Sequence, residues 1–484
     1  MKNKIALPVL LLLCLVCSRF VPTVTGADDY DVVILNGRVM DPESKLDAVR
    51  NIGIRGGSIQ EISTKILNGK STIDAKGLVV APGFIDLHAH GQDDVNYRFK
   101  AMDGVTTALE FEGGTAEVAP WYSEREGKAL INHGVSVAHS KVRMALMHDP
   151  GPIVATGDAA RRAATAAEIV EMKRRIAEGL KQGALAVGFG IVYTPAASRF
   201  EILEMFRVAA QFGARAHVHV RNAGLMEPVD GFSAIQEVIA DAAVTGASAH
   251  IVHIDSMGLS ATPRILQMLA EAQSHGIDIS AECYGYDTGG ANIESPVFDE
   301  GWQERQGLDY KDIEWAPTGE RLTAETFAKY RKMGGLALLH ENTDEIVRTT
   351  VAHPLIAIAS DGRLREGRGH PRSAGTYARM LGHWVREEKA LPLMEAIRKM
   401  SLLPAQLVER RAPMLKKKGR IRVGADADLS IFDAVRVIDK ATFAEPAQYS
   451  QGFQFVLVNG TVVVKEGRLQ EGVFPGIAVR APIH

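Results

Sequence analysis

Apolar residues follow two different rhythms along this chain, and the change between them marks its organisation. From about 30 to 82, and again in RVGADADLSIFD and FQFVLVNGTVVVKEGR near the far end, β-branched residues alternate with polar ones between Asn-Gly and Gly-Gly pairs. That is the pattern of short strands joined by tight turns. Between about 83 and 413 the rhythm is longer. The apolar runs FIDLHAH, VTTALEF, VSVAHSKVRMALM, LAVGFGIVY, ARAHVHV, SAHIVHI, IDISAECY and LIAIASDG are separated by stretches with helical spacing. Thr165 and Glu168 stand as a capping box at the head of TAAEIVEMKRRIAEGLKQG, and TPRILQMLAEAQSHG stops at Gly276. Repeated strand-then-helix units predict an α/β fold, a parallel sheet closed as a (β/α)8 barrel over 83–413. The two β segments, 27–82 and 414–484, predict one small β-sandwich built from both ends of the chain. The interval from Cys283 to Asp361 is too long for one unit. Residues 290–345, with Trp302, Tyr310 and Trp315, are expected to form an insertion or lid.

The one long apolar run is N-terminal. Ile5 to Val16 follows Lys2 and Lys4 and precedes Pro22 and Gly26. A basic start, about a dozen apolar residues and a small-residue exit read as a secretory signal over 1–26, so the mature protein is expected to be exported, periplasmic or secreted. A short membrane anchor is the alternative, but the run falls short of the roughly 20 residues that span a bilayer. Elsewhere the chain is ordinary for a globular protein: 484 residues, 46% hydrophobic, 23% charged, net charge −3. Polytopic membrane, collagen-like and disordered classes are excluded. The small, mixed charge excludes nucleic acid and an anionic membrane as main partners and leaves a small molecule. Cys14 and Cys17 lie in the signal, so Cys283 has no partner for an internal disulfide and reads as a buried strand residue. Oligomeric state leaves no mark in the sequence.

Candidate chemistry begins with His88 and His90 at the end of FIDLHAH. Residues i and i+2 of a strand share a face, so both rings can reach one ion. The pair alone is a weak signal. Its place after an apolar strand and before Gly91 strengthens it. The other candidates also fall at the carboxyl ends of predicted strands, where a barrel gathers its site: Glu110 and Glu112, His217 and His219, His250 and His253, and Asp361 in ASDG. An acid in an apolar strand needs a partner, so the glutamates are either ligands or satisfied structural acids. His217 and His250 read as structural or supporting. Two histidines, a carboxylate, two further histidines and an aspartate make a binuclear ligand set, and mixed imidazole and carboxylate donors suit zinc, one or two ions per chain. Such ions activate a water as hydroxide and polarise a carbonyl, and Asp361 can pass the proton to a departing nitrogen. The expected reaction is hydrolysis of an amide or similar acyl bond.

Taken together, PGFIDLHAHG, the strand-end histidines and ASDG resemble the amidohydrolase superfamily. SDGRLREGRGHPRSAGTYARMLGHW, AHSKVR at 138–143, GALAVGFGIVYTP at 183–195 and HVRNAG at 219–224 are similar to the D-aminoacylases, the N-acyl-D-amino-acid deacylases. The likeness covers essentially everything after residue 30. It implies His88 and His90 as the first metal pair, His219 and His253 as histidines of the second metal, and Asp361 as ligand and catalytic aspartate. It also implies Arg372 as the holder of the substrate α-carboxylate, with Tyr193 assisting; a guanidinium fork suits that group.

Two departures matter. D-aminoacylases end strand two with GNCG, whose cysteine binds metal; here the stretch is LEFEGG. Glu112 is expected to take that bridging place, with Glu110 as the alternative. Strand six of those enzymes usually reads SHLK, but this chain has VHID, and Asp255 reverses the charge. A positive or neutral substrate group is expected there, unless Asp255 pairs with Arg221 or Arg372. ALAVGFG carries no lysine, which argues against a carboxylated-lysine bridge, and Lys141 reads as an ordinary polar residue. The expected activity is metal-dependent deacylation of an N-acyl-D-amino acid, with an acidic side chain suggested by Arg143, Arg221 and Arg372. A dipeptidase or cyclic-amide hydrolase on the same centre is the second reading, and a metal-free binding protein a remote third.

Overall fold

The computed structural model describes residue 1 and residues 29–483. The signal segment expected over 1–26 therefore lies, apart from Met1, outside the described residues. β1 (Tyr30–Asp41), β2 (Leu46–Arg55), β3 (Ser58–Ser63), β4 (Gly69–Asp74) and β5 (Val79–Pro82) lead into the first barrel strand. The barrel strands then follow as β6 (Phe84–Asp86), β7 (Val105–Thr115), β8 (Asn132–Ala138), β9 (Ala186–Gly190), β10 (Arg215–His219), β11 (Ala249–Ile251) and β12 (Ile279–Cys283). An excursion carries β13 (Thr288–Asn292), β14 (Ile313–Trp315), β15 (Glu320–Arg321) and β16 (Leu336–His340) before the last barrel strand, β17 (Ile356–Ile358). A two-stranded hairpin, β18 (Leu364–Arg365) and β19 (Arg368–Gly369), precedes β20 (Leu429–Phe432), β21 (Phe453–Val458), β22 (Thr461–Lys465) and β23 (Arg468–Leu469).

The eight parallel strands run β6 to β12 and then β17 in spatial order, as the alternation of apolar runs and helices predicts. Thr165 and Glu168 form the capping box on helix Ala166–Lys181, satisfying two N-terminal backbone groups reciprocally. The run VSVAHSKVRMALM is not one strand. β8 ends at Ala138 and a helix occupies His139–Leu146.

No backbone ladder joins β17 to β6 beyond a single bridge between Ala89 and Gly362. Side chains complete the seam. Asp86 accepts from the Ser360 amide at 3.0 Å and the Ser360 hydroxyl at 2.5 Å. Lys100 lies 2.9 Å from the same carboxylate. All three are essentially excluded from solvent, and mutual pairing is what makes their burial tolerable.

The chain ends meet where β20 pairs antiparallel with β5. The result is one continuous nine-stranded sheet rather than two separate sheets. Its own apolar cluster includes Ile34, Ile52, Ile59, Ile73, Ile431 and Leu457. The tail does not stop in that sheet. It returns to the barrel, where Val479 donates to the His133 carbonyl at 2.7 Å.

β13 to β16 form a separate four-stranded antiparallel sheet within the excursion. Trp302, Trp315, Phe327 and Tyr330 pack as its private core. No helix among the described residues is long and apolar enough to cross a membrane.

Candidate metal centre

Strand ends supply the donors, and each is aimed by its local backbone. His88 and His90 follow β6, with their Nε2 atoms 3.1 Å apart. Glu112 leaves β7 where its pairing with β8 slips between Glu110 and Thr115. An irregularity of this kind re-aims a side chain. Gly188 on β9 makes room for it, since a Cβ there would fall 2.3 Å from the Phe111 carbonyl and 2.5 Å from that of Glu112. His253 and Asp361 both adopt left-handed backbone, with φ of 33° and 47°. Such strain costs of order 1–3 kcal/mol per residue and persists where surrounding contacts impose it.

Glu112 is the hub. One carboxylate oxygen lies 3.1 Å from His88 Nε2 and 3.2 Å from His90 Nε2, and the other 3.1 Å from His219 Nδ1. Two sets of donors therefore converge within 4.8 Å: His88, His90 and Glu112, and Glu112, His219 and His253. Asp361 Oδ1 stands 3.1 Å from His90 Nε2 and 3.4 Å from His88 Nε2.

Glu110 has a different task. It accepts at 2.8 Å from His90 Nδ1 and at 2.9 Å from the Gly113 amide. Glu282 on β12, absent from the sequence-based set, does the same for His88 at 2.6 Å, and its other oxygen meets His250 Nε2 at 3.0 Å. Both rings are thus fixed with Nδ1 toward a carboxylate and Nε2 toward the centre, the arrangement that orients metal-binding imidazoles. His250 supports Glu282, and its Nδ1 meets the Ser280 hydroxyl at 2.7 Å. His217 is buried against Phe111 and His250.

The electrostatics favour a cation among these nitrogens. Burial opposes a charge on His88, yet Asp361, Glu282 and Glu112 outweigh it and lift its pKa to about 10. Burial likewise opposes a charge on Glu112, but the three histidines around it hold its carboxyl well below the usual range. His253 moves the other way, pushed down to about 3 by burial and by His219, and its Nδ1 is buried without a hydrogen-bond partner. Two rings held by supporting carboxylates, His219 on Glu112, the unpartnered His253 nitrogen and the carboxylates of Glu112 and Asp361 form a donor set that fits divalent metal.

Arg372 covers the centre. Its Nη2 lies 2.6 Å from Asp361 Oδ2, its Nε donates to the Asp361 carbonyl at 2.9 Å, and its guanidinium lies 4.3 Å above the Tyr284 ring. Its Nη1 is buried without a partner. Burial opposes the charge of Asp361, but Arg372 and His88 hold that carboxyl well below the ordinary range. Tyr193 stacks edge-on against His219, with ring centroids 5.1 Å apart. Tyr193 and Arg372 line a broad cleft of about 1200 Å³ together with His90, Glu110, Glu112 and Asp361. Gly290, Gly334 and Trp315 of the excursion form part of its wall.

Three expected substrate contacts lie elsewhere. The Arg143 guanidinium is fully buried on helix His139–Leu146, 2.6 Å from Glu201 and donating to the Ala159 carbonyl at 2.8 Å. It cannot reach a ligand. Arg221 borders a second, smaller cavity, but its fork is held by Glu237 at 2.9 and 2.7 Å. Asp255 is fully buried and pairs with neither Arg221 nor Arg372 among the described ion pairs; its Oδ2 has no partner. Cys283 is buried and free.

The amidohydrolase family model matches residues 71–464. The chain is 30% identical over 488 residues to the N-acyl-D-glutamate deacylase of Alcaligenes xylosoxydans xylosoxydans, covering 90% of this chain and 94% of that one. It is 28% identical to the D-aminoacylase of the same organism, covering 91% and 96%. The crystal structure of N-acyl-D-glutamate deacylase from Bordetella bronchiseptica, complexed with zinc and a phosphonate mimic of the tetrahedral intermediate, matches with a TM-score of 0.79 at 26% identity. That match covers 93% of this chain and 100% of that one.

Proposed function

We infer that this chain, which belongs to the amidohydrolase family, hydrolyses the amide bond of N-acyl-D-amino acids with the help of divalent metal, zinc being the natural candidate. The observation that carries the reading is the pair of donor sets joined through Glu112 beside Asp361 and Arg372. Its relatives' activities and the zinc in the Bordetella bronchiseptica structure support the substrate class and the metal.

His88, His90, Glu112, His219, His253 and Asp361 would hold the metal, which when bound polarises the amide carbonyl and acidifies a water. The chain's own residues do the rest. Asp361, ionised between Arg372 and the histidines, takes the proton of the attacking water and returns it to the departing nitrogen. Arg372 offers its unpartnered Nη1 to the α-carboxylate, a charge-assisted contact that fixes which face of the amide meets the water. Tyr193, which lines the same cleft, would assist in holding that carboxylate. The excursion, closing over the cleft with Trp315 and Gly334, limits the water that reaches the scissile bond. We further propose that the mature protein is exported, on the strength of the basic and apolar start of the chain.

Metal analysis of the purified protein beside an amine-release screen of N-acetyl amino acids of both hands tests this reading. About two zinc ions per chain with release from the D series is the expected result. Absence of both metal and turnover overturns it.

A further inference from the structure

The smaller cavity, about 290 Å³, opens from His219, His253 and Asp361 and runs beneath the excursion. Most of its wall is apolar, with Val192, Val229, Met257, Pro296, Val297 and Leu339. Its polar lining includes Asn222 and the mutually bonded hydroxyls of Ser256 and Tyr284 beside the acids Glu341 and Asp361. Glu341, just past the end of β16, faces it. Gly289 leaves room for that carboxylate, since a Cβ there would lie 2.3 Å from Glu341 Oε1. Gln306 also lines the cavity. Its amide nitrogen donates to the Val297 carbonyl at 3.0 Å, which turns its oxygen the other way, and that oxygen is buried without a donor. Behind Ser256 of the wall, Asp255 is completely buried with Oδ2 unpartnered.

Two nearby cations are engaged, and the one free nitrogen of Arg372, Nη1, is the group assigned above to the substrate α-carboxylate. Arg221 is held by Glu237, Arg305 donates to the carbonyls of Glu300 and Asp299, and Arg372 is held by Asp361. Glu341 forms no ion pair among those described. A mostly apolar cavity that holds a carboxylate without an ion-pair partner among those described, and the unpartnered Gln306 oxygen, offers two acceptors to a cationic donor. An alkyl stem ending in an ammonium or guanidinium fits that lining.

We propose that this cavity selects substrates carrying a cationic group, with Glu341 as the specificity-determining acid. The proposal rests on the deacylase reading above. Cationic substrates come from two sources: a basic amino-acid side chain, or an aminoacyl group, which makes the substrate a dipeptide.

Two matched pairs test it on the full, zinc-loaded chain. N-acetyl-D-lysine against N-acetyl-D-norleucine puts the charge on the side chain; glycyl-D-alanine against N-acetyl-D-alanine puts it on the acyl group. One pair is expected to favour its cationic member in kcat/KM by about tenfold or more, the scale of a hydrogen bond to a charged group. Glu341→Gln should shrink that ratio about tenfold, and Glu341→Asp should retain part of it. Equal kcat/KM within both pairs, or a ratio that Glu341→Gln leaves in place, overturns the proposal. Calorimetric binding of D-lysine against D-norleucine, and of glycine against acetate, separates this from the parent reading. If neither these four nor the wider N-acetyl-D series turns over, deacylation is refuted, while a cationic preference in binding that Glu341→Gln removes still supports the cavity's role and its absence refutes that too.

Discussion

Glu282 reaches the metal centre only through His88, and substituting it isolates what that support is worth. Glu282→Gln keeps an acceptor for the His88 Nδ1 proton and roughly the same volume but removes a charge. The carboxylate sits 2.6 Å from Nδ1 and 3.0 Å from His250 Nε2, and is almost wholly buried. A buried hydrogen bond to a charged group is worth about 1.5–3 kcal/mol, which corresponds to about 10- to 100-fold in metal affinity. Glu282→Ala should fall at the far end of that range or beyond, because it also leaves Nδ1–H unpaired and opens space for the ring to turn. The assay is competition with a chelator of known affinity, followed by turnover at saturating zinc. Recovery of most of the activity when zinc is forced in is expected for a positioning residue that does not touch substrate. Metal affinity within threefold of the parent protein in both variants would falsify the assignment.

Asp361→Asn should abolish proton delivery and reduce kcat by about 10²- to 10⁴-fold, measured by amine release; an activity within tenfold of the parent removes Asp361 from the proton path. Arg372→Met should raise KM for N-acyl-D-amino acids far more than for their α-carboxamides, and equal effects on both would break the carboxylate contact. Arg143→Met leaves the buried Glu201 with His139 as its remaining partner at 2.7 Å and costs part of the about 3–5 kcal/mol of a broken buried pair, so a thermal melt should shift down while KM does not; the opposite pattern would restore Arg143 to the substrate. Zinc must displace a proton from His88, whose pKa is raised to about 10 in the metal-free protein. Its proton is bound throughout pH 7–9 and is lost only as pH rises through about 10. Adding zinc to metal-free protein in weak buffer at pH 8 should therefore release protons, and an unchanged pH would contradict that account.

What could be read in the sequence was set by how local the signal is. Eight strands are legible because each is an apolar run set between stretches of helical spacing, one of which, Ala166–Lys181, opens on a capping box. His88 and His90 were legible because two residues of one strand carry the pattern. The preference for Glu112 over Glu110 comes from the resemblance at LEFEGG, while the aim of each side chain depends on where β7 slips against β8. Glu282 lies 194 residues from His88 and left no short-range motif. An acid in an apolar strand demands a partner in ISAEC as it does in LEFEGG, and that requirement marks Glu282. The run VSVAHSKVRMALM does not show where strand gives way to helix, and the place of Arg143 depends on that boundary. The helix that starts at His139 turns Arg143 toward Glu201.

The seam between β6 and β17 gives the two ion positions different histories. One draws on Glu112, His219 and His253, from β7, β10 and β11, and can assemble once the central part of the barrel has been made. The other sits beside the clasp of Asp86, Lys100 and Ser360, and its Asp361 is brought alongside His88 and His90 only when the last strand docks. During synthesis the chain would remain inert until that late, long-range closure. In the finished protein, a brief parting of the clasp would expose the donors on His88 and His90 and leave those on His219 and His253 covered. Gentle denaturation should therefore strip the centre in two steps, with activity fading at the first.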